Sequence, residues 1–441
     1  MKLSSALQEL KLKFNSADTK FAGLEQGKEY LLSSAEDKSA IENALGISLP
    51  EVGATEAVLD FTSLLPQLMT NKGATVTSTI EVDVKANNRW ASEDATVNRV
   101  YTLKCNKPEF SIVTNPGNFW CKEFSVDSCD IKTGDIETIS QKIQYQYRKK
   151  GDEQWIDCDR LVQFDDYPVD KQYQIRAVYR EGIETEPVDV VLETPQQLPN
   201  SDMEEWYIEE KKKSGTWPSK DKTYYTFHPY AEGNASSSWW ATNNDKAQGG
   251  TYAFGIWYEG CFASCVSYTE DAHGGTKAAL MYLSGCGDGY ANTAGTYVGG
   301  AMVGSLFIGT YDSGIIQGHD FGSRPTSMSF WYKYKPYNSD AFKVVVSLKN
   351  GDREIATGTY EPAASSEENG EYGHATVDFN YTEPFEKATS ICVQFLASNK
   401  TSLSQSDFDL GTTITYPVIG DWTVHMGSIL KIDDISLAFD K

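Results

Sequence analysis

The sequence predicts an all-β protein that contains several sandwich domains. Short runs of alternating apolar and polar residues recur along most of the 441-residue chain, whereas helical periodicity is scarce. Gly, Asn and Pro separate these runs at short intervals, as turns do. One hydrophobic core does not organise a chain of this length, so we expect three domains, with boundaries at 1–105, 106–196 and 197–441.

The formal net charge of -23 excludes some partners. A negative surface potential repels nucleic-acid phosphates and anionic lipid headgroups, so we expect no nucleic-acid partner. Neutral polymers such as glycans remain possible partners, because proteins recognise them by stacking and hydrogen bonds. The alternative is that the acidic residues serve only to keep the protein soluble.

No apolar run is long enough to span a membrane, and Met1–Phe14 lacks the apolar core of a signal peptide. The chain is then either cytosolic or exported with its signal removed before Met1. The domain types favour export to the cell surface, the periplasm or the medium, and a lipid-anchored cysteine before Met1 is compatible with this.

The eight cysteines show no CxxC pair and no His at zinc-ligand spacing, which argues against a metal-thiolate site. Cys261, Cys265 and Cys286 are close in sequence. They either include one disulfide or are buried free thiols.

Residues 1–105 predict one helix and a set of strands. Ser34 is placed to cap a helix that runs to Leu45, and Gly46 is placed to end it. Alternation over 75–84 and 99–103 predicts strands, and we expect an Ig-like sandwich that serves as a stalk.

Residues 106–196 predict a second sandwich, with strands at 110–113, 138–147, 155–156, 172–179 and 188–192. The hairpin from Tyr145 to Trp155 and the strand YQIRAVYR from Tyr173 to Arg180 resemble fibronectin type III domains. The resemblance implies a spacer, and we assign it no ligand.

The prolines of Thr194–Pro199 indicate a linker, and most tryptophans, tyrosines and glycines follow it. Many short strands rich in aromatic residues are typical of a large jelly roll. Both ends of this region are acidic. The first and last strands of a jelly roll often lie side by side, so four carboxylates are candidate ligands for a structural calcium ion: Asp202, Glu204, Asp433 and Asp434.

Alternation along 431–437 places Ile432 and Asp434 on one face and Asp433 and Ile435 on the other. One aspartate therefore points inward and needs a partner, which calcium would supply. Capping or salt-bridged carboxylates without a metal are the alternative.

The opening N-x-x-M-E-x-W at Asn200 and the closing I-D-D-I-S-L at Ile432 resemble jelly-roll carbohydrate-binding modules, whose structural calcium lies near these ends. Four further motifs follow in order: Trp240–Asn243, Gly304–Gly309, Phe321–Pro325 and Trp331–Tyr334. Together they resemble the PCMD family of carbohydrate-metabolism domains in surface lipoproteins of gut Bacteroidetes. The resemblance covers 198–441 and implies a jelly roll, export and a role with polysaccharides, without an established active site.

Aromatic rings bind sugars because the C–H face of a pyranose packs on a π-face. The candidate rings are Trp239, Trp240, Trp257, Tyr258, Trp331 and Tyr337, and the candidate hydroxyl partners are Asn243, Asn244, Asp245 and Arg353. Core packing is the alternative for each ring. Trp239 and Trp240 face opposite sides if they lie on a strand, so one of them is a better candidate for exposure.

Alternation over 327–334 predicts that Met328, Phe330, Tyr332 and Tyr334 face the core while Trp331 lies on the polar face. Arg324, before Pro325, is expected to be structural, as the partner of a carboxylate.

We expect the chain to bind poly- or oligosaccharide through its jelly roll. A hydrolase or lyase that uses acidic residues is one alternative, but none of the 62 acidic residues falls in a recognised catalytic motif. An adhesin or structural surface protein is the other.

Overall fold

The computed structural model describes residues 5–16, 23–60, 76–87, 95–105, 108–134, 136–180, 183–215, 221–247, 252–253, 256–257, 262–284, 290–291, 297–298, 302–362, 370–409 and 412–441. The chain forms two compact units. The first contains Met1–Thr114, Ser125–Val162 and Gln172–Val190, and the second contains Asn115–Phe124, Gln163–Lys171 and Val191–Lys441. The three predicted domains stay a prediction, since compactness does not test whether a segment folds alone.

The first unit begins with an antiparallel sheet in the order β2-β1-β3-β4. Its strands are β1 (Leu7–Ser16), β2 (Glu29–Leu31), β3 (Val76–Ala86) and β4 (Ala95–Cys105). Helix α1 (Ala35–Leu45) begins after Ser34, whose side chain accepts from Asp37 N, and ends at Gly46 with φ 65°. These caps confirm the predicted helix.

The helix contributes Ile41 and Leu45 to the same core as Leu12, Phe14 and Ile80 of the sheet. Among the described residues of 5–105, this core has one sheet and one helix, without a second sheet. The Ig-like description of this segment therefore stays a prediction.

The rest of the first unit includes a second antiparallel sheet, in which β12, β11, β8 and β9 follow one another and β13 joins β11. The elements from 110 to 191 are β5 (Phe110–Val113), β6 (Glu123–Ser125), β7 (Ser128–Ile131), α2 (Ile136–Lys142), β8 (Gln144–Lys149), β9 (Ile156–Cys158), β10 (Leu161–Gln163), β11 (Gln172–Arg180), β12 (Ile183–Glu184) and β13 (Val188–Val191).

The predicted strand at 138–147 is wrong in its first half, where α2 lies. Ile139 of this helix is buried with Tyr179 and Ile183, so tertiary packing selects the helix there. The other predicted strands of this region are present. The likeness to fibronectin type III domains stays a prediction.

The second unit is a jelly-roll sandwich of two antiparallel sheets, which confirms the predicted all-β fold class. Its elements are β14 (Tyr207–Lys213), β15 (Lys222–His228), β16 (Trp240–Thr242), α3 (Asn244–Ala247), β17 (Tyr252–Ala253), β18 (Ile256–Trp257), β19 (Val266–Thr269), β20 (Ala278–Ser284), β21 (Tyr290–Ala291), β22 (Tyr297–Val298), β23 (Met302–Val303), β24 (Ser305–Tyr311), β25 (Ile315–Gln317), β26 (His319–Asp320), β27 (Ser327–Lys335), β28 (Lys343–Asn350), β29 (Arg353–Tyr360), β30 (Gly373–Asp378), β31 (Asn380–Tyr381), β32 (Ser390–Leu396), β33 (Thr412–Tyr416), β34 (Gly420–Val424) and β35 (Met426–Ala438).

The larger sheet has the order β16-β24-β32-β28-β29-β31, so β16 lies at its edge. The smaller sheet has the order β19-β20-β35-β27-β30. Apolar side chains from both sheets form one core, to which Leu306, Val346 and Phe395 contribute from the larger sheet and Met328 and Leu430 from the smaller. A second apolar cluster joins the hairpins β14–β15 and β33–β34 to strands β19 and β20.

Two sequence predictions about strand faces have different outcomes. Met328, Phe330 and Tyr334 are buried, as alternation predicts for β27. The alternation predicted for β35 is wrong, because Ile432 and Ile435 both lie in the core. The pairing register between β27 and β35 shifts between Ser329 and Trp331, and Asp434 has a φ of 45°. A β-bulge therefore changes which residues of β35 face the core.

No helix in the described residues is long and apolar enough to cross a membrane. Cys121, Cys129, Cys158, Cys265 and Cys392 are free thiols, and Cys121, Cys265 and Cys392 are buried. Cys261 and Cys286 lie outside the described residues, so their pairing is untested.

Arg324 is the partner of a carboxylate, which confirms the prediction made for it. Its side chain is fully buried, and Nε donates to Glu193 Oε1 at 2.9 Å. Nη1 donates to Pro384 O at 2.8 Å, and Nη2 donates to Phe119 O at 3.2 Å. The guanidinium also lies 3.7 Å from the centroid of the Trp120 ring. One side chain therefore ties three segments of the second unit together.

Arg324→Met is expected to lower the free energy of unfolding by about 3–5 kcal/mol, because it leaves the buried Glu193 carboxylate without its main counter-charge. Urea denaturation of the full chain measures this. The control is Arg353→Met, which removes the 2.6 Å pair with Glu386 at a half-exposed site and is expected to cost at most about 1 kcal/mol. Equal losses in the two variants would contradict a structural role for Arg324.

Candidate functional site

A cleft lies at the edge of the larger sheet, where β16, β15 and the end of β24 meet. Its volume is about 260 Å³, slightly below the roughly 300–1,000 Å³ of sites for drug-sized ligands. Its lining consists of Thr226, His228, Pro229, Tyr230, Ala235, Ser238, Trp240, Ala241, Thr242, Asn244, Asp245, Gly309, Thr310 and Tyr311. The size suits one or two sugar rings better than a long ligand.

A row of stacked rings reaches the cleft, whose lining includes two of them, His228 and Tyr230. Tyr207 and His228 are paired across the β14–β15 hairpin, and their ring centroids are 5.8 Å apart with an interplanar angle of 18°. The His228 ring then stacks with Tyr230, at 5.2 Å and 30°. Cross-strand pairing thus aligns rings that the sequence separates by about twenty residues.

Charged groups lie beside the stacked rings. Lys211 Nζ is 2.9 Å from Asp245 Oδ1 and 3.3 Å from Glu209 Oε2. His228 Nε2 is 2.9 Å from the same Glu209 oxygen. Burial by itself would lower the pKa of Lys211, but the hydrogen bond to Asp245 and the charges of Asp245 and Glu209 outweigh it and raise the pKa. This side chain is therefore an ammonium. Burial raises the pKa of Tyr230, with Glu209 and Asp245 adding to the rise, so its phenol keeps the proton that it can donate.

Three predicted sugar-binding residues build the floor and the strand beneath it. Trp240 lines the cleft but is only 2% exposed, and its Nε1 donates to Pro199 O at 2.8 Å. Asn243 Nδ2 donates to Val303 O at 2.8 Å, and its Oδ1 accepts from Ser305 N at 2.9 Å. Asn244 Nδ2 donates to Phe227 O and Val266 O, both at 2.9 Å. Their polar groups therefore hold β16 and α3 in place.

Asp245, another predicted hydroxyl partner, also lines the cleft, whereas Trp239 and Trp331 are not among the lining residues. Trp239 is half-buried, and the His319 ring stacks on it at 4.1 Å and 18°. Trp331 is also half-buried, and the His273 ring stacks on it at 3.8 Å and 12°. In each case an imidazole covers one face of the indole. A sugar has access to the other face at most.

Arg353 is exposed and paired with Glu386, and the half-buried Tyr337 donates its backbone N–H to Ser428 Oγ at 3.0 Å. The side chain of Trp257 and the whole of Tyr258 lie outside the described residues. The sugar-binding role of these residues stays a prediction.

The structure brings three of the four candidate calcium ligands, Glu204, Asp433 and Asp434, to the loop 273–277. Glu204 Oε1 accepts from Thr276 N at 2.6 Å and from Lys277 N at 2.9 Å. Asp433 Oδ2, fully buried, accepts from His273 N at 2.8 Å and from Gly274 N at 3.1 Å. We call this arrangement the carboxylate latch, formed by Glu204, Asp433 and the loop 273–277.

Asp434 Oδ2 is 2.6 Å from His273 Nδ1, and Asp202 is exposed. Burial raises the pKa of Asp433, and the amide bonds from the loop oppose this rise. Burial also works to raise the pKa of Glu204, but its bonds to Thr276 and Lys277 prevail and lower it.

The latch as arranged does not fit a calcium ion. Amide N–H groups point their positive ends at Glu204 and Asp433, and a cation needs that space for itself. In the described part of the chain, no group of three or more Asp, Glu, His or Cys side chains could hold a metal. The present contacts of Glu204 and Asp433 disfavour a structural calcium ion, which stays a prediction.

Sequence reasoning missed three rings of the cleft lining, His228, Tyr230 and Tyr311, and it missed Tyr207, which stacks on His228. The available signal was the alternation of Tyr207, Glu209 and Lys211, together with the aromatic run Tyr224 to Tyr230. Only the hairpin register brings these two segments face to face.

Comparison with known proteins identifies no family. No family model matches the chain, and no curated protein matches it. The resemblance to PCMD domains therefore stays a prediction.

Among solved structures, the chain aligns with TmCBM61 in complex with β-1,4-galactotriose at 12% identity, over 45% of this chain and 88% of that one, with a TM-score of 0.22. It aligns with carbohydrate-binding modules of the β-sandwich superfamily at 11% identity, over 75% of this chain and 98% of that one, with a TM-score of 0.24. A structure of a family 4 carbohydrate-binding module aligns at 16% identity, over 31% of this chain and 75% of that one, with a TM-score of 0.15. Scores this low do not establish what the chain binds.

Gly275→Ala is expected to lower the melting temperature through the latch. Gly275 has a φ of 60°, and an added methyl group would overlap Glu204 Oε1. The matched control is Gly351→Ala, with a φ of 59° and open space around the methyl. We expect the first variant to lose at least about 1 kcal/mol more than the control, because a latch hydrogen bond to a charged group is lost as well. Equal losses would mean that the latch contributes nothing.

Chelation tests calcium separately. If a calcium ion replaces the loop amides around Glu204 and Asp433, EDTA will lower the melting temperature of the full chain, and added Ca²⁺ will restore it, because ligand binding stabilises the native state. The amide-filled latch predicts no change with EDTA. That result would remove calcium from the account of this fold.

Proposed function

We propose that the second unit binds glycans and that the edge cleft holds one or two sugar rings. The observation that carries this proposal is the stacked pair of rings His228 and Tyr230 in the lining of a small cleft, with Tyr207 stacked on His228. A sugar packs its C–H face on such rings while its hydroxyls need donors and acceptors at the rim.

The polar groups around the cleft suit hydroxyl recognition. Thr310 is exposed at the end of β24, and Tyr230 supplies a protonated phenol. Asp245, at the start of α3, supplies a carboxylate to the same lining. Donors and acceptors that flank an aromatic wall give orientation to a ligand that the ring holds by its apolar face.

We propose binding rather than turnover. Glycoside hydrolysis commonly needs one carboxylic acid that donates a proton and one carboxylate that acts as base or nucleophile. Here Lys211 lies between Glu209 and Asp245 and pairs with both. The described residues that line the cleft include one carboxylate, Asp245, so the pair that hydrolysis commonly uses is not found among them.

In the wider proposal, this chain is an exported or surface protein of the PCMD type that takes part in polysaccharide utilisation. The preceding Ig-like and fibronectin-like domains would then present the jelly roll to the glycan. The acidic chain, with its net charge of -23, is compatible with a neutral polymer as partner.

A glycan array of plant, host and microbial oligosaccharides, probed with the full chain, tests this function. Tyr230→Ala is expected to weaken binding of the selected glycan about tenfold, because it removes the outermost stacked ring. Thermal melting of the variant checks that it remains folded. A folded Tyr230→Ala variant with unchanged affinity would remove the cleft from the proposal.

Trp331→Ala is the matched aromatic control. Its ring lies on the smaller sheet beside His273 and is not part of the cleft lining, so binding should be unchanged. Loss of binding in this variant alone would place the sugar on the smaller sheet instead. A clean negative of the wild-type chain across the whole array would reject glycan binding.

A further inference from the structure

The charges beside the cleft do not balance. Two carboxylates, Glu209 and Asp245, share the single ammonium of Lys211, and His228 adds a full positive charge only when it is protonated. With a neutral imidazole, two negative charges and one positive charge leave a net charge of -1. This imbalance lies at the rim, since the Asp245 side chain is 51% exposed and that of Lys211 is 26% exposed.

The described residues that line the cleft include no Lys and no Arg. Proteins that recognise a carboxylate or sulfate usually present a cationic side chain or several backbone N–H groups to it. In this cleft the exposed ionised lining residue is Asp245, which carries the opposite sign to the one an anionic sugar needs. The electrostatics therefore disfavour uronic acids, sialic acids and sulfated sugars.

Asp245 is placed to contact a ligand cation. It lies in the first turn of α3 and lines the cleft together with His228 and Tyr230, and Lys211 Nζ contacts its Oδ1. Because that ammonium also contacts Glu209, it does not neutralise Asp245 fully. A second ammonium, carried by a sugar, would complete the charge balance.

We infer that the edge cleft ranks sugars by charge, with free amino sugars bound more tightly than neutral sugars and carboxylated sugars bound most weakly, and that Asp245 sets this order. The inference rests on the proposed glycan binding and gives it a ligand class. The neutral sugar provides the stacking contact, and the amino group adds an ion pair at the rim.

The experiment compares a matched series of ligands. For the neutral oligosaccharide that binds the wild-type full chain, the counterparts with a 2-amino-2-deoxy sugar and with a uronic acid are titrated by calorimetry at low salt and at high salt. The amino sugar is expected to bind up to about fivefold more tightly than the neutral one, as for a rim ion pair. The uronic acid is expected to bind more weakly by a similar factor, and salt should reduce both differences.

Asp245→Asn keeps the size of the side chain and removes its charge. We expect the variant to lose the preference for the amino sugar, so that it binds the amino sugar and the neutral sugar equally. Asp352→Asn, at an exposed position in the turn between β28 and β29, is the control for a change in overall charge and should keep the preference.

Each outcome decides between the two claims. A neutral sugar that binds without any charge ranking, or a ranking that survives in Asp245→Asn, would overturn the inference and leave glycan binding intact. A uronic acid that binds as tightly as the neutral sugar would also overturn it. Failure of every sugar in the series to bind the wild-type chain would reject the proposed function, and the inference with it.

Discussion

The bulge in β35 is the constraint on which the second unit depends. β35 lies between β20 and β27, and the bulge at Asp433 and Asp434 brings a buried carboxylate to the edge of the core. A buried charge needs partners, and the amides of the loop 273–277 supply them. The same loop donates to Glu204 and thereby fixes where the chain enters the jelly roll.

A short series of contacts connects Glu204 to the residues of the cleft. Trp206 follows it and donates its Nε1–H to Met203 O at 2.7 Å, while its ring packs with the apolar cluster beneath the hairpins. β14 begins at the next residue, Tyr207, which is paired with His228 on β15. The carboxylate latch therefore holds the chain a few residues before Tyr207, where the row of stacked rings begins.

The buried polar groups of this unit contribute more to the positions of the segments that they join than to net stability. Arg324 and Glu193 are both buried, and such a pair gains little over an apolar contact of the same size. Its value is specificity, because the guanidinium has donors for Pro384 O and Phe119 O as well and only one arrangement satisfies them together. Exposed pairs such as Lys150–Asp189 impose no comparable constraint.

The cleft lining does not include the two half-buried indoles, Trp239 and Trp331. His319 stacks on Trp239 and His273 stacks on Trp331, so these indoles are partly used within the protein. At the edge, β16 is only three residues long, and the hairpin β14–β15 provides the facing wall. A short edge strand beside a long hairpin leaves room for a ligand between them.

The sequence by itself determined the all-β class, the helix at Ser34 to Gly46, the core face of β27 and the structural role of Arg324. These features depend on local alternation, on helix caps and on the cost of burying a charge. All three can be inferred from short stretches of sequence. Only the tertiary structure decided that Ile432 and Ile435 share a face, because a bulge adds a residue that no alternation pattern shows. Only the tertiary structure placed Tyr207 beside His228 and Lys211 beside Asp245, because these contacts depend on hairpin register and on packing between segments distant in sequence.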